Sequence, residues 1–429
     1  MNGPTLYKGD IFSFCSSRND YLWLENGALL VADGKVIRTG DYTTLREQYP
    51  EVEVVDYTGR TLMPGLIDSH LHFPQCAMIG MFGKQLMDWL NDYTFPTEAA
   101  YADPDYARQQ AHYFIRQLLR NGTTAAMSYG SVHQASAEAL LQAAKDCGIW
   151  MLAGKVWMDR NAPDYLLDTP QTAYDQSEDL IRKWHRDGRL RYVITPRFAI
   201  TSSPEQLEAA GALHRRYPDT YIQTHLSENH NEIQSVASLF PERKDYLEVY
   251  EHFGLVNNRS FMGHCIHLDR QQYTRMAERG ATSVHCPTSN LFLGSGLYDL
   301  ERADEAGVKT VLGTDVAAGT SFSLWKTMGA AYQIQQLRNH AVSPLDLLYR
   351  CTLGAAQALG LDAWIGSLKP GKDADFIVMN PESTPEMAER TRLLKSTDKW
   401  TLENRIFGYQ MLGDDRHVEH VYLNGKKIL

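Results

Sequence analysis

The chain has 429 residues, 43% of them hydrophobic and 22% charged, which is enough apolar material for one large domain or two. Its formal net charge of −10 argues against a nucleic-acid partner, because a phosphate-binding protein presents a basic face. The six cysteines are scattered without a CxxC pair, which favours a reducing compartment. No stretch approaches the roughly 18 apolar residues of a membrane span and no secretory signal is evident, so we expect a cytoplasmic protein without a membrane partner.

Short apolar runs alternate with longer amphipathic segments along most of the chain, and this pattern is typical of a parallel α/β architecture. Helical stretches such as residues 106–119 and 136–144 lie between the runs. Eight strand-like runs predict a (β/α)8 TIM-like barrel. They cover residues 62–72, 123–129, 150–156, 191–198, 221–225, 260–264, 282–286 and 310–315.

Both ends of the chain carry short β-like segments outside the barrel runs. Residues 27–32, 36–39 and 52–57 precede the barrel, and residues 366–378 and 420–426 follow it. We expect the two ends to form a small composite β-sandwich domain. Its predicted limits are residues 1–61 and 364–429, beside a barrel domain of residues 62–363.

His70 and His72 follow the first apolar run, and residues two apart on a strand project to the same side. Two imidazoles in this arrangement can converge on a cation, although such a pair also occurs as ordinary hydrogen-bonded polar residues. Active sites of TIM barrels draw residues from several strand ends. Four of the other predicted strands also end in polar, aromatic or charged residues, and this clustering favours a metal site over coincidence. These strand ends carry, in chain order, Arg197 with Phe198, His225, His264, and Asp315.

These residues lie in motifs that resemble the metal-dependent amidohydrolase superfamily, and within it the bacterial guanine deaminases. The superfamily resemblance rests on residues 64–75 (PGLIDSHLHFPQ), 195–198 (TPRF), 224–229 (THLSEN), 263–265 (GHC) and 313–315 (GTD). The resemblance to guanine deaminases rests on Gln75, Arg197, Phe198 and the stretches 89–96 (WLNDYTFP) and 158–165 (MDRNAPDY). It covers nearly the whole chain.

The resemblance implies one divalent ion per subunit, Zn²⁺ or alternatively Fe²⁺, with a water molecule completing its shell. Its implied ligands are His70, His72, His225 and Asp315. Glu228 would be the general base and acid, although Ser227, Glu228 and Asn229 are also good helix-start residues. His264, with His267 as a competitor, would hydrogen-bond the attacking water or the tetrahedral centre, and Asp315 would also help to pass a proton to the leaving amine. His285 is interpreted as structural.

The resemblance also implies recognition of a purine edge. Gln75 offers a donor and an acceptor to a lactam, Arg197 can donate to its carbonyl, and Phe198 can stack on the ring. Alternatively, Gln75 is an ordinary loop residue, Arg197 forms an ion pair and Phe198 belongs to the hydrophobic core. His72, His225, Glu228 and Asp315 would face the substrate too. Trp89 is either part of the pocket or simply packed, and residues 75–105 are a plausible cover.

The expected reaction is hydrolytic deamination of guanine to xanthine and ammonia, in purine catabolism or salvage. Two alternatives stay open: the same metal site acting on another heterocycle, such as an 8-oxopurine, a pterin, a triazine or cytosine, or a catalytically silent scaffold. The intact set of candidate residues argues against the scaffold. The unrelated zinc deaminase signature is excluded because the chain has no PCxxC motif. The resemblance further implies a homodimer.

Overall fold

The computed structural model describes residues 3–82 and 86–429, and two sheets organise them. The barrel is built from parallel strands β5 (Leu66–His72), β6 (Thr123–Tyr129), β7 (Trp150–Gly154), β9 (Leu190–Pro196), β10 (Tyr221–Leu226), β11 (Ser260–His264), β12 (Thr282–His285) and β13 (Lys309–Leu312), with the short β8 (Val156–Trp157) paired to β9. The other sheet contains β1 (Thr5–Ser17), β2 (Asp20–Ala32), β3 (Lys35–Asp41), β4 (Glu53–Pro64), β14 (Phe376–Met379), β15 (Val418–Leu423) and β16 (Lys426–Lys427).

Backbone hydrogen bonds join the last barrel segment to the first. The N–H of Asp315 donates to the carbonyl of His70 at 2.8 Å, and the N–H of His72 donates to the carbonyl of Val316 at 2.8 Å. The side chain of Asp68 adds to this seam by accepting from the backbone N–H and the hydroxyl of Thr314, at 3.0 and 2.5 Å. The predicted (β/α)8 fold class is confirmed, and the seam brings two candidate ligand segments together.

The two chain ends form one mixed seven-stranded sheet, in the order β16-β15-β14-β4-β1-β2-β3. Residues 5–17, which were not predicted as a strand, form β1, which pairs with β2 on one side and β4 on the other. The predicted run 62–72 spans two strands, since β4 ends at Pro64 and β5 begins at Leu66. Gly65 makes the junction possible: a Cβ there would lie 2.1 Å from Oγ1 of Thr124. The domain limits stay a prediction.

Helices pack against the barrel and against parts of the mixed sheet. They are α1 (Tyr42–Gln48), α2 (Leu86–Trp89), α3 (Phe95–Ala99), α4 (Pro104–Arg120), α5 (Gln134–Cys147), α6 (Pro170–Trp184), α7 (Pro204–Arg216), α8 (His230–Leu239), α9 (Tyr246–His252), α10 (Arg270–Arg279), α11 (Pro287–Phe292), α12 (Leu300–Glu305), α13 (Leu324–Leu337), α14 (Pro344–Tyr349), α15 (Leu353–Leu359), α16 (Pro385–Lys395) and α17 (Leu402–Leu412). Short 3₁₀ turns are Phe73–Met78, Ala100–Ala102, Asp164–Leu166 and Asp415–His417, and Leu90–Thr94 is a π turn.

The C-terminal region is less purely β than the sequence pattern indicated, because α16 and α17 lie between β14 and β15. Helix α17 packs on the barrel's outer layer, where the rings of Tyr409 and Trp325 are 5.5 Å apart. Hydrophobic burial therefore ties this region to the barrel as well as to the mixed sheet. Among the residues described, no helix has both the length and the apolar character needed to span a membrane.

Candidate active site

The predicted site residues come together at the carboxyl ends of the barrel strands. His70 and His72 lie on β5, His225 lies on β10, His264 ends β11, and Asp315 follows β13. All five side chains are buried. Because the strands are parallel, their carboxyl ends share one face of the barrel, and groups far apart in sequence converge there.

Asp315 lies close to three of the imidazoles. Its Oδ1 is 3.3 Å from Nε2 of His70 and 3.3 Å from Nε2 of His72, and its Oδ2 is 3.7 Å from Nε2 of His264. Nε2 of His225 lies 3.2 Å from Nε2 of His72. Short distances therefore connect the four predicted ligands.

The local backbone aims two of these side chains. His264 has a φ of 69° and Asp315 a φ of 52°, both in the left-handed region that non-glycine residues seldom adopt. Such conformations persist only where the surrounding structure enforces them, and they concentrate at functional sites. Here they turn the chain just past the strands so that both side chains point back over the barrel.

Two motif glycines allow His70 to sit deep in this cluster. A Cβ on Gly263 would lie 2.6 Å from Cε1 of His70, and a Cβ on Gly313 would lie 2.7 Å from Cβ of His70. Neither distance is compatible with an ordinary van der Waals contact. The glycines of the segments 263–265 and 313–315 therefore make room for a single imidazole.

The donor set fits a divalent cation. Burial lowers the pKa of His72 to about 4 and that of His225 well below its usual value, so both rings are neutral and can offer lone pairs. His225 donates from Nδ1 to the carbonyl of Arg197 at 2.7 Å, which leaves Nε2 unprotonated. Among the residues described, Nε2 of His70 is buried without a hydrogen-bond partner. A shared cation would satisfy all three nitrogens.

Asp315 completes the set with a negative charge. Burial raises the pKa of its carboxyl, but the close approach of the His70 and His72 imidazoles outweighs that effect and holds the pKa well below its usual range. The potential ligand atoms of His70, His72 and His225 lie within 4.8 Å of one another, and so do those of His70, His264, Cys286 and Asp315. Three imidazoles and a carboxylate are ligands typical of Zn²⁺ and related divalent ions.

Glu228 lies beside this cluster and is free for chemistry. Helix α8 is capped by Asn229, and Glu232 accepts from the N–H groups of Glu228 and Asn229 at 2.8 and 3.0 Å, so the alternative role of Glu228 as the helix cap is not realised. Oε1 of Glu228 accepts a hydrogen bond from Oγ of Ser295 at 3.0 Å. Burial, together with the charge of Asp315, raises the pKa of Glu228 to about 8.

His264 and not His267 faces the site. Its Nε2 lies 3.4 Å from Oε2 of Glu228, and its Nδ1 lies 2.8 Å from Oδ1 of Asn290. His267 instead bonds to the carbonyl of Ser295 at 2.8 Å.

His285 stacks on Tyr298 at 4.5 Å and does not belong to the described cavity lining. This position agrees with the structural role expected for His285.

A cavity opens over the cluster. It is lined by His72, Gln75, Leu86, Trp89, Leu90, Thr94, Arg197, Phe198, His225, Glu228, His264, Leu293, Asp315 and Ala318. The expected substrate residues Gln75, Arg197 and Phe198 thus all face it. Within the expected cover, residues 75–105, helix α2 and the π turn contribute Leu86, Trp89, Leu90 and Thr94 to the cavity lining. Residues 83–85 lie outside the described part of the chain.

For Arg197, Trp89 and Phe198, the structure shows both the expected position at the cavity and the alternative packing or ion-pair role. Arg197 lines the cavity and also forms an ion pair, with Nη1 2.9 Å from Oε1 of Glu98. Trp89 lines the cavity and is also packed, with its ring 5.4 Å from that of Phe292. Phe198 is 4% exposed and lies edge-on to His225 at 6.2 Å, so it is both buried and a wall residue.

Four residues near the site were not anticipated from the sequence: Glu98, Cys286, Asn290 and Ser295. Each lies outside the quoted motifs, in a position that only the tertiary contacts bring close to a candidate ligand or wall residue. For Glu98 a signal was available, because the quoted stretch 89–96 ends two residues before it. For the other three, the segment 286–295 (CPTSNLFLGS) gave no recognisable chemical pattern by itself.

A parallel barrel with imidazoles and carboxylates converging at its carboxyl-terminal mouth is the architecture of a metal-dependent hydrolase. The Amidohydrolase family matches residues 61–428. The chain belongs to the amidohydrolase family.

Known relatives are similar over nearly the full length. The chain is 46% identical over 407 residues to a guanine deaminase of Escherichia coli, covering 95% of this chain and 92% of that protein. Its fold matches the crystal structure of guanine deaminase from Bradyrhizobium japonicum with a TM-score of 0.96 and 34% identity, covering 100% of this chain and 99% of the other. A guanine deaminase from C. acetobutylicum with guanine bound in the active site matches with a TM-score of 0.90 and 31% identity, covering 100% of both chains.

Proposed function

We propose that this protein hydrolyses guanine to xanthine and ammonia in purine catabolism or salvage. The observation that carries the proposal is one cavity in which Gln75, Arg197 and Phe198 face Glu228 and the histidine cluster. This arrangement supports a site that holds a flat lactam-containing ring beside a hydrolytic centre. Similarity to named guanine deaminases across the full length supports the choice of guanine over other heterocycles.

We assign the cation to His70, His72, His225 and Asp315, with zinc as the proposed metal and iron(II) as the alternative that the same donors accept. When bound, a divalent cation lowers the pKa of a water molecule and so supplies a nucleophile near neutral pH. The neutral imidazoles and the ionised carboxylate described above are in the protonation states that ligation requires.

Glu228 is the proposed proton shuttle. It takes a proton from the attacking water as the oxygen bonds to C2 of guanine, and it delivers that proton to the adjacent ring nitrogen. The raised pKa of about 8 suits a carboxyl group that must both accept and donate a proton near neutral pH. Its neighbour Ser295 holds one carboxylate oxygen and leaves the other facing His264.

His264 and Asp315 complete the proton path. Nε2 of His264 lies 3.4 Å from Oε2 of Glu228 and 3.7 Å from Oδ2 of Asp315. An N–H group at this position can stabilise charge at the tetrahedral carbon by hydrogen bonding. Asp315 helps to pass the remaining proton of the C2 hydroxyl to the amino group, the C2–N bond breaks as the C2 carbonyl forms, and ammonia leaves. Guanine and water give xanthine and ammonia, so the atoms balance.

Gln75, Arg197 and Phe198 are the proposed substrate-binding residues. Arg197 donates to the lactam carbonyl, Gln75 pairs with the ring edge, and Phe198 packs against the ring, while His72, His225, Glu228 and Asp315 face the reacting carbon. The apolar side chains of Leu86, Trp89 and Leu90 line the same cavity.

The test is ammonia release from a panel of guanine, an 8-oxopurine, a pterin, a triazine and cytosine by zinc-loaded protein. The proposal expects turnover of guanine with the highest kcat/KM. If another heterocycle were turned over and guanine were not, the proposed substrate would be wrong, whereas hydrolytic deamination would remain the reaction type. Zinc and iron(II) are compared by loading the metal-free protein with each ion.

We further propose a cytoplasmic homodimer. The six free cysteines are compatible with a reducing compartment. The assembly is proposed from the family resemblance, and light scattering of the purified protein at several concentrations measures it directly. A mass of one chain at all concentrations would contradict the dimer.

A further inference from the structure

A buried carboxylate stands behind the substrate wall and takes no part in the steps above. Glu98 lies in α3, and its side chain is 0% exposed. Nη1 of Arg197 donates to its two oxygens at 2.9 and 3.0 Å, and Nε2 of Gln75 donates to it at 2.9 Å. Arg197 and Gln75 line the cavity, whereas Glu98 is not among the described lining residues. Glu98 therefore acts on a substrate only through these two neighbours.

The first effect of Glu98 is on charge. A buried guanidinium without a partner is strongly unfavourable and would attract any anion that enters the cavity. The carboxylate of Glu98 cancels the positive charge of Arg197 within the protein wall. The N–H groups of Arg197 that remain free then serve as directional donors to a neutral carbonyl group.

The second effect is on orientation. Because Nε2 of Gln75 donates to Glu98, its Oε1 is held on the opposite side, where the backbone N–H of Ala317 lies 3.4 Å away. Rotating the amide by half a turn would place its oxygen against a carboxylate oxygen, which is repulsive. Glu98 thus fixes which edge of Gln75 is an acceptor and which is a donor.

We propose that Glu98 is a positioning residue that sets the charge preference of the substrate pocket, so that the pocket takes a neutral lactam and does not retain an anion. The inference rests on the proposed function, which makes xanthine the product. Xanthine carries a second carbonyl in place of the amino group of guanine, and this makes it the stronger acid. Neutralising Arg197 prevents the product anion from being held as an inhibitor.

The experiment uses the zinc-loaded full-length enzyme and its Glu98→Gln variant, which keeps the shape but removes the charge. Direct calorimetric binding of xanthine is measured at one pH below and one pH above its ionisation. We expect Glu98→Gln to bind the xanthine anion about 10- to 100-fold more tightly than the wild type, the range of one unpaired charge-assisted contact. The KM for guanine rises because Gln75 loses its fixed orientation. Equal xanthine affinity in both proteins at both pH values would overturn the proposal.

Two controls separate charge from structure. Glu98→Asp keeps the negative charge, so its preference between neutral and anionic xanthine stays that of the wild type even if KM rises. A Glu98→Asp variant that binds the anion as tightly as Glu98→Gln contradicts the proposal. Glu278→Gln, at an exposed position on α10, changes the net charge equally and leaves xanthine binding unchanged. Zinc content is measured for each protein.

If Glu98→Gln does not fold, the wild type still tests the inference. Its affinity for xanthine must fall as xanthine ionises, and the fall must persist in Glu228→Gln, which removes the other carboxyl group that titrates in this cavity. An affinity that increases with ionisation would contradict the proposed preference. Ammonia release from guanine by the wild type is recorded in the same series. Absence of ammonia contradicts the proposed function, whereas the charge preference is judged from the binding data alone.

Discussion

Oε2 of Glu228 lies 3.4 Å from Nε2 of His264, although Glu228 follows β10 and His264 ends β11. Both side chains are buried, so their interaction is little screened by solvent. Oγ of Ser295 donates to Oε1 of Glu228 at 3.0 Å, and Oδ1 of Asn290 lies 2.8 Å from Nδ1 of His264. The carboxylate and the imidazole are therefore oriented toward each other before a substrate enters.

Glu228→Gln should lower kcat about 100- to 10,000-fold, because the amide cannot accept the proton of the attacking water. The substitution preserves size and does not remove a proposed ligand, so metal content should stay at the wild-type level. Steady-state ammonia release and elemental analysis of the same preparation measure both quantities. A near-normal kcat would remove Glu228 from its proposed role.

The same variant should change stability in a pH-dependent way. Burial and the charge of Asp315 raise the pKa of Glu228 from 4.5 to about 8. A raised carboxyl pKa means that the folded state binds more protons than the unfolded state, so this group's contribution to stability is present below its ordinary pKa and is lost as the pH rises toward 8.

In metal-free protein, Glu228→Gln should raise Tm by about 2 °C or more near pH 8 and change it little near pH 5. Differential scanning calorimetry of both proteins after chelation checks this. Comparing the two at each pH cancels the titration of groups they share. A Tm difference that is the same at both pH values would show that burial of the charge is not the cause.

Asn290→Ala should lower kcat about tenfold with little change in KM, because Asn290 holds Nδ1 of His264 and is not among the described lining residues of the cavity. Losing this bond frees the imidazole to rotate. Asn290→Ser can restore a partner for Nδ1 and should recover part of the activity. A rise in KM with unchanged kcat would place Asn290 in substrate binding instead.

Gly263→Ala should weaken metal binding about 10- to 100-fold, the usual effect of disturbing a residue that orients a ligand. The new methyl group would lie 2.6 Å from Cε1 of His70, so the ring must move. Gly40→Ala is the matched control, because its nearest neighbour is Leu45 at an ordinary 3.6 Å. Competition with a chromophoric chelator measures zinc affinity, and equal affinities in both variants would contradict the packing argument.

The sequence was sufficient for the features that depend on local pattern. Alternation of strands and helices predicted the barrel, and the spacing of His70 and His72 predicted two side chains on one side of a strand. The strand ends then placed His225, His264 and Asp315 at the same mouth. These predictions succeeded because a parallel barrel converts a position at a strand end into a position in space.

Features that depend on non-local contacts could not be obtained in this way. The stretch 89–96 lies next to Glu98 in the sequence, but it does not indicate that the side chain of Glu98 meets Arg197, 99 residues away. Asn290 and Ser295 depend on how the chain after β12 returns over the site. Strand β1 was missed because it is long and only partly alternating, and its place between β2 and β4 is set by tertiary pairing.

The measurement that tests the central claim most directly is ammonia and xanthine production from guanine by the purified protein, with and without bound zinc. We predict equal molar yields of the two products from the zinc-loaded protein, near-complete loss of activity after chelation, and recovery when zinc is restored. The proposed function would be contradicted if zinc-loaded protein with all four proposed ligands intact gave neither product from guanine.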